Sequence, residues 1–197
     1  MKFIEQVEEA KKLQRRLNID EIRNSLDECW VKTKVNNHVE KFNGLFTHEE
    51  IIEQIKTNDI VASMFCKDPS KQNISEKMAE KILGVPKLPA NGANSIRFTP
   101  DGELTGVKSI GVSKSADFLF NGIYFTQKYT AESGGAQDNQ YNDVVDFLVK
   151  GSINYKVGAM VDGEYWDKKR DALREHFKDN PNVVVVSVDD LIKKEVV

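Results

Sequence analysis

The chain of 197 residues is 40% hydrophobic and 30% charged, with a formal net charge of −3. Such a composition belongs to a globular domain able to bury a sizeable core, and no apolar run approaches the ~20 residues of a bilayer span. The acidic balance gives no general electrostatic footprint for nucleic acid, although it leaves room for a basic groove in an acidic surface.

The opening MKFIEQVEEAKKLQRRL places acids where a secretory leader needs an apolar stretch, so a cytoplasmic protein is expected. Cys29 and Cys66 lack CxxC spacing and read as free thiols. His38, His48 and His176 are scattered without ligand spacing, which argues against zinc. GxxxxGK[ST] and GxGxxG are both missing, so no nucleotide cofactor is expected.

The first third reads as helical. Ile4, Val7, Ala10, Leu13 and Leu17 recur at helical spacing and predict an amphipathic helix over residues 2–17. Asn18 or Asp20 is expected to cap a second helix running to about Trp30. Thr47 and Glu50 have capping-box spacing and open a helix over 48–57. Ser75 caps another over 76–83, which Gly84 and Pro86 end. The segment VPKLPANGANS that follows is a loop, and SIRFTPDGELTGV a hairpin turning at Pro100-Asp101-Gly102.

In KSADFLFNGIYFTQKYT, Asn121-Gly122 separates two aromatic-rich apolar runs, a strong hairpin signal. Residues 137–149 form a helix with Tyr141, Val144, Val145 and Leu148 on one face. A strand over 156–161, a helix over 166–177 and a buried β-branched strand over 183–188 follow, and a short helix over 189–194 closes the chain. This order predicts an α/β fold: a mixed central sheet, antiparallel at its start and parallel at its finish, flanked by helices. It is read as a single domain over 1–197, with a helical region at 1–84 and an α/β core at 85–197.

A two-residue loop at Asn121-Gly122 fixes the register. Phe120 faces Ile123, Leu119 faces Tyr124, Phe118 faces Phe125, and Asp117 faces Thr126. Alternation adds Lys128 to the face shared by Asp117 and Thr126. A carboxylate there can hold a hard cation, and a lysine beside it can position water or stabilise charge on a phosphate. Spacing alone equally allows a salt bridge on a solvated hairpin.

Ser115-Ala116-Asp117, a gap of eight residues, and Thr126-Gln127-Lys128 together resemble the motif of the PD-(D/E)xK nuclease superfamily. There an Asp begins one strand and an acid-x-Lys tripeptide lies on the next. KYTAESGGAQDNQYNDVVDFL is similar to the Gly-Gly-x-Gln-x-Asn run after the catalytic lysine in several type II restriction endonucleases. The resemblance covers residues ~95–190 and implies an αβββαβ core. It also implies Mg2+, double-stranded DNA as substrate and a homodimer, with the N-terminal helices as candidate dimer surface. Asp117 would bind metal, with Lys128, Thr126 and Gln127 completing the catalytic set. Thr126 stands where the family has Glu or Asp. Several readings stay open: Thr126 is a weak ligand, a β-bulge brings in Gln127, a carboxylate such as Glu103 or Glu132 moves in, or the substitution is inactivating.

Gln137, Asn139 and Gln140 open a helix after Gly134-Gly135 and are candidates either for capping or for DNA contact. Asn91 and Asn94 lie in a plausible recognition loop. Lys114 belongs to a stretch, residues 85–130, with five Lys/Arg (Lys87, Arg97, Lys108, Lys114, Lys128) against three acids. The reading is therefore a Mg2+-dependent, site-specific DNA endonuclease. The alternatives are a catalytically weakened DNA-binding module of the same fold, a non-specific repair or nicking nuclease, and an interaction protein with a solvated hairpin.

Overall fold

The computed structural model describes residues 1–131 and 137–193. Glu132, Gly134-Gly135 and the Gln137 side chain lie outside what is described. The chain divides into two compact units: residues 6–74, and residues 1–5 with the chain from Ser75 onward.

The first unit is helical. Helix α1 spans Phe3–Asn24 and its predicted break at Asn18 does not occur. Asn18 is buried, and its amide donates to Lys67 O and Gln72 Oε1, both at 2.7 Å, while accepting from Gln14 Nε2. A side chain engaged in these contacts cannot cap a new helix. The predicted inward stripe is also corrected, because Leu13 and Leu17 are exposed, whereas Val7, Ile19 and Ile22 are buried. Helix α2 (Cys29–Lys41) follows after a turn, and α3 (His48–Thr57) opens on the expected Thr47–Glu50 capping box. Helix α4 (Asp59–Phe65) is too short to show a period and is announced only by Asn58, whose carbonyl accepts from Ile60 N and Val61 N. Ile22, Val31, Val35, Ile55 and Ala62 form the apolar centre of this unit.

The second unit carries the sheet. Helix α5 (Ile74–Leu83) ends at Gly84, whose φ of +67° lies in the left-handed region that favours glycine. Strands β1 (Arg97–Phe98) and β2 (Leu104–Thr105) form a small antiparallel pair. The main sheet has the order β3 (Phe118–Phe120), β4 (Ile123–Tyr129), β5 (Val157–Asp162), β6 (Val183–Val186). Strand β3 pairs antiparallel with β4, and β4, β5 and β6 are mutually parallel, as the element order predicts. Asn121 and Gly122 both have positive φ, the requirement of a type I′ turn.

Helices α6 (Gln137–Gly151) and α7 (Glu164–His176) are the two crossovers, and α8 (Val188–Lys193) follows β6. The strands progress in one direction, so right-handed crossovers put α6 and α7 on the same face. Accordingly, Val144, Phe147 and Leu148 of α6 share one cluster with Trp166 and Leu173 of α7 and with Val157, Ala159 and Val161 of β5. Each Val, Leu or Phe among them, fully buried, contributes about 1.5–3 kcal/mol. The carboxyl ends of the three parallel strands meet one edge of the sheet, where α6, α7 and α8 begin. Ligands of open α/β sheets bind at that edge.

Candidate active site

Asp117 immediately precedes β3. The register of Phe118 with Phe125, Leu119 with Tyr124 and Phe120 with Ile123 is the one that the Asn121-Gly122 loop dictates. The next step departs from it. Asp117 N–H donates to Phe125 O at 2.7 Å, so Asp117 and Phe118 both oppose Phe125. This is the geometry of a bulge, and it replaces the expected main-chain pairing of Asp117 with Thr126.

The bulge re-aims the carboxylate. Asp117 Oδ2 lies 2.8 Å from Gln127 N, 3.3 Å from Thr126 Oγ1 and 3.6 Å from Lys128 Nζ. The carboxylate is nearly buried, and two hydrogen bonds and an ammonium charge converging on one oxygen offset its lost hydration. Oδ1 accepts no hydrogen bond among the described residues. Lys128 also donates to Gln127 O at 3.1 Å and keeps about a quarter of its side chain exposed.

The alternative bulge on β4 is not found. Residues 124–129 pair with β5 in unbroken register, so alternation keeps the Gln127 side chain on the face opposite Thr126 and Lys128. Gln127 serves the carboxylate with its main-chain N–H only. Its side chain is buried and its Nε2 has no partner among the described residues. Glu103 does not arrive either. Its Oε1 accepts from Asn154 Nδ2 at 3.1 Å, before the amino end of β5, several residues along the strands from Asp117 at ~3.3 Å each.

Lys87 and α5 join the cluster, and no motif announced them. Leu88 N–H donates to Asp117 O at 2.8 Å. Lys87 N–H donates to Glu80 Oε1 at 3.2 Å, and its ammonium pairs with Glu76. Burial pulls the Lys87 ammonium below its ordinary pKa; Asp117 opposes this and Lys128 adds to it.

Among the expected nucleic-acid contacts, Asn91, Asn94 and Asn139 are exposed. Gln140 accepts from Thr130 Oγ1 at 3.1 Å, two residues beyond Lys128, so the start of α6 adjoins the carboxyl end of β4. Lys114 is exposed, 3.9 Å from Asp143. Arg97, counted in the basic excess of residues 85–130, is buried, donating to Ser113 O at 3.2 Å and Ala90 O at 2.6 Å with Nε unpartnered among the described residues. It ties two loops together and adds no outward charge.

The described residues hold no group of three or more His, Cys, Asp or Glu placed for a metal. The donors present are hard oxygens: Asp117 Oδ1 and the Thr126 hydroxyl. Such a set suits Mg2+, which takes one or two protein oxygens and fills its octahedron with water and phosphate. It does not make a two-metal centre. None of the described helices is long and apolar enough to cross a membrane. No protein-family model, curated protein or solved structure matches the chain.

Proposed function

We propose that this chain is a Mg2+-dependent endonuclease of the type II restriction kind, hydrolysing phosphodiester bonds of double-stranded DNA as a homodimer. The observation that carries the reading is the 3.6 Å approach of Lys128 Nζ to Asp117 Oδ2, on adjoining segments towards the carboxyl end of β4.

Asp117 Oδ1 would hold the cation, with Thr126 Oγ1 a weak second donor. Bound there, Mg2+ would offset phosphate charge and ease deprotonation of water. Lys128 hydrogen-bonds the attacking water and a non-bridging phosphate oxygen, so its charge meets the negative charge that grows as water adds to phosphorus, releasing its proton to solvent, and as the P–O bond to the leaving oxygen breaks, that oxygen taking a proton from solvent. Asn139 and Gln140 are placed to meet a duplex at the same edge. Exposed Leu13 and Leu17, with Ile60 and Met64 elsewhere on the helical unit, are side chains that a second copy would cover.

One observation favours a second reading. Thr126 Oγ1 is placed to donate to Asp117 where a second carboxylate would otherwise serve. A DNA-binding module with weakened cleavage would have this arrangement. Incubating plasmid and phage DNA with Mg2+ separates the readings on a gel. Discrete fragments are the expected result. A smear or nicked circles indicate a non-specific nuclease, intact but retarded DNA indicates the binding module, and DNA neither cut nor retarded contradicts both.

A further inference from the structure

Lys87, next to the Leu88 N–H that holds the Asp117 carbonyl, has no task in the proposed cleavage. The segment holding it is pinned by Leu88 N–H on Asp117 O, by Lys87 N–H on Glu80 Oε1 and by the Leu88 side chain packed against the core. None of these three contacts uses the Lys87 side chain. Its ammonium has three donors, and Glu76 is its only hydrogen-bond acceptor among the described residues. About a quarter of the side chain is exposed. Glu76 and Glu80 lie four residues apart on α5, hence on one face, and grip the residue at both its main chain and its tip.

Lys128 likewise makes one hydrogen bond among the described residues, to the Gln127 carbonyl, and has a carboxylate neighbour and part of its side chain open. Two ammonium groups with unspent donors thus act on one aspartate: Lys128 at 3.6 Å, and Lys87 from the residue next to the Leu88 N–H that holds the Asp117 carbonyl. An anion with several oxygens can satisfy donors from both, which a single carbonyl or chloride cannot. Their mutual repulsion in the free protein is relieved when that anion arrives.

We propose that Lys87 is a second phosphate-binding residue of this site, held ready by Glu76 and contacting the DNA backbone together with Lys128. The inference rests on the reading of the chain as a DNA-binding protein. Glu76 is a positioning residue: it fixes the ammonium beforehand, so less side-chain freedom is lost when phosphate binds.

The test measures affinity of the full chain for duplex DNA in EDTA, so that no cutting intervenes, over a salt series from ~50 to ~200 mM. Wild type, Lys87→Met and Lys87→Arg are compared, with Lys178→Met as a control for an exposed charge paired only with Glu175. The slope of log K against log salt should shrink by about 0.9 in Lys87→Met, the loss of one phosphate contact, and return in Lys87→Arg. In parallel, wild-type Lys87 should be shielded from acetylation by added duplex, read by mass spectrometry; this arm needs no variant to fold. An unchanged slope in a folded Lys87→Met protein, or acetylation of Lys87 indifferent to DNA, overturns the inference while leaving the nuclease reading standing. Failure of the wild type to bind duplex at all overturns both.

Discussion

Asp117→Asn should lose on the order of 10^3-fold in Mg2+-dependent cleavage while remaining folded. The amide has the shape of the carboxylate and one oxygen. That oxygen is held by Gln127 N–H, the Thr126 hydroxyl and Lys128, all of which converge on a single oxygen in the wild type. The NH2 group is then left where Oδ1 stood, and a nitrogen with two hydrogens cannot accept a cation. Lys128 and Lys87 also lose the negative charge beside them, so binding of phosphate should weaken little or even strengthen. Single-turnover cleavage and duplex affinity, measured on the same protein, check this. Cleavage within threefold of wild type, at unchanged Mg2+ dependence, would remove Asp117 from the chemistry.

The second large effect concerns stability and pH. Asp162 closes β5, next in the ladder after the Lys128–Val161 pair, and is almost wholly buried. Burial raises its pKa from 3.8 to about 7, against the Val188 N–H bond and the Arg170 charge, which lower it. The folded state therefore prefers the protonated acid. Its contribution to stability is complete below the unfolded value near 4 and is lost as pH rises through about 7. Ionisation above that pH costs up to about 4 kcal/mol. Asp162→Asn keeps an oxygen for Val188 N–H, which Asp162 accepts at 3.2 Å, and removes the charge. The variant should match wild type at about pH 4 and exceed it by as much as that amount at alkaline pH. Urea midpoints at both pH values test this, and parallel pH profiles for the two proteins would contradict it.

The hairpin was the most legible part of the chain, because two positive-φ positions in sequence admit almost nothing but Asn-Gly and fix the register around them. The parallel strands were legible too, since β-branched runs alternating with helical periods leave few topologies. The break expected at Asn18 failed because a capping residue and a buried polar side chain have the same identity; only the distant Lys67 carbonyl and Gln72 amide tell them apart. The burial of Arg97 was not legible for a related reason: a cation near a motif does not declare whether it faces solvent or carbonyls.

In the site, Asp117 and Lys128 were found from strand periodicity, and the structure brings them together by a bulge on the Asp117 side that periodicity excludes. Glu76 and Lys87 were beyond reach. They meet across the loop that follows α5, and nothing in VPKLP marks its lysine as a neighbour of Asp117 thirty residues on.

The most direct measurement is the cleavage rate of Lys128→Ala against wild type at saturating protein, with duplex affinity determined alongside in EDTA. A fall of about 10^2 to 10^4-fold in rate, with affinity kept within about tenfold, is the predicted result. Undiminished cutting by the alanine variant would contradict the assignment of this aspartate–lysine pair as the catalytic centre.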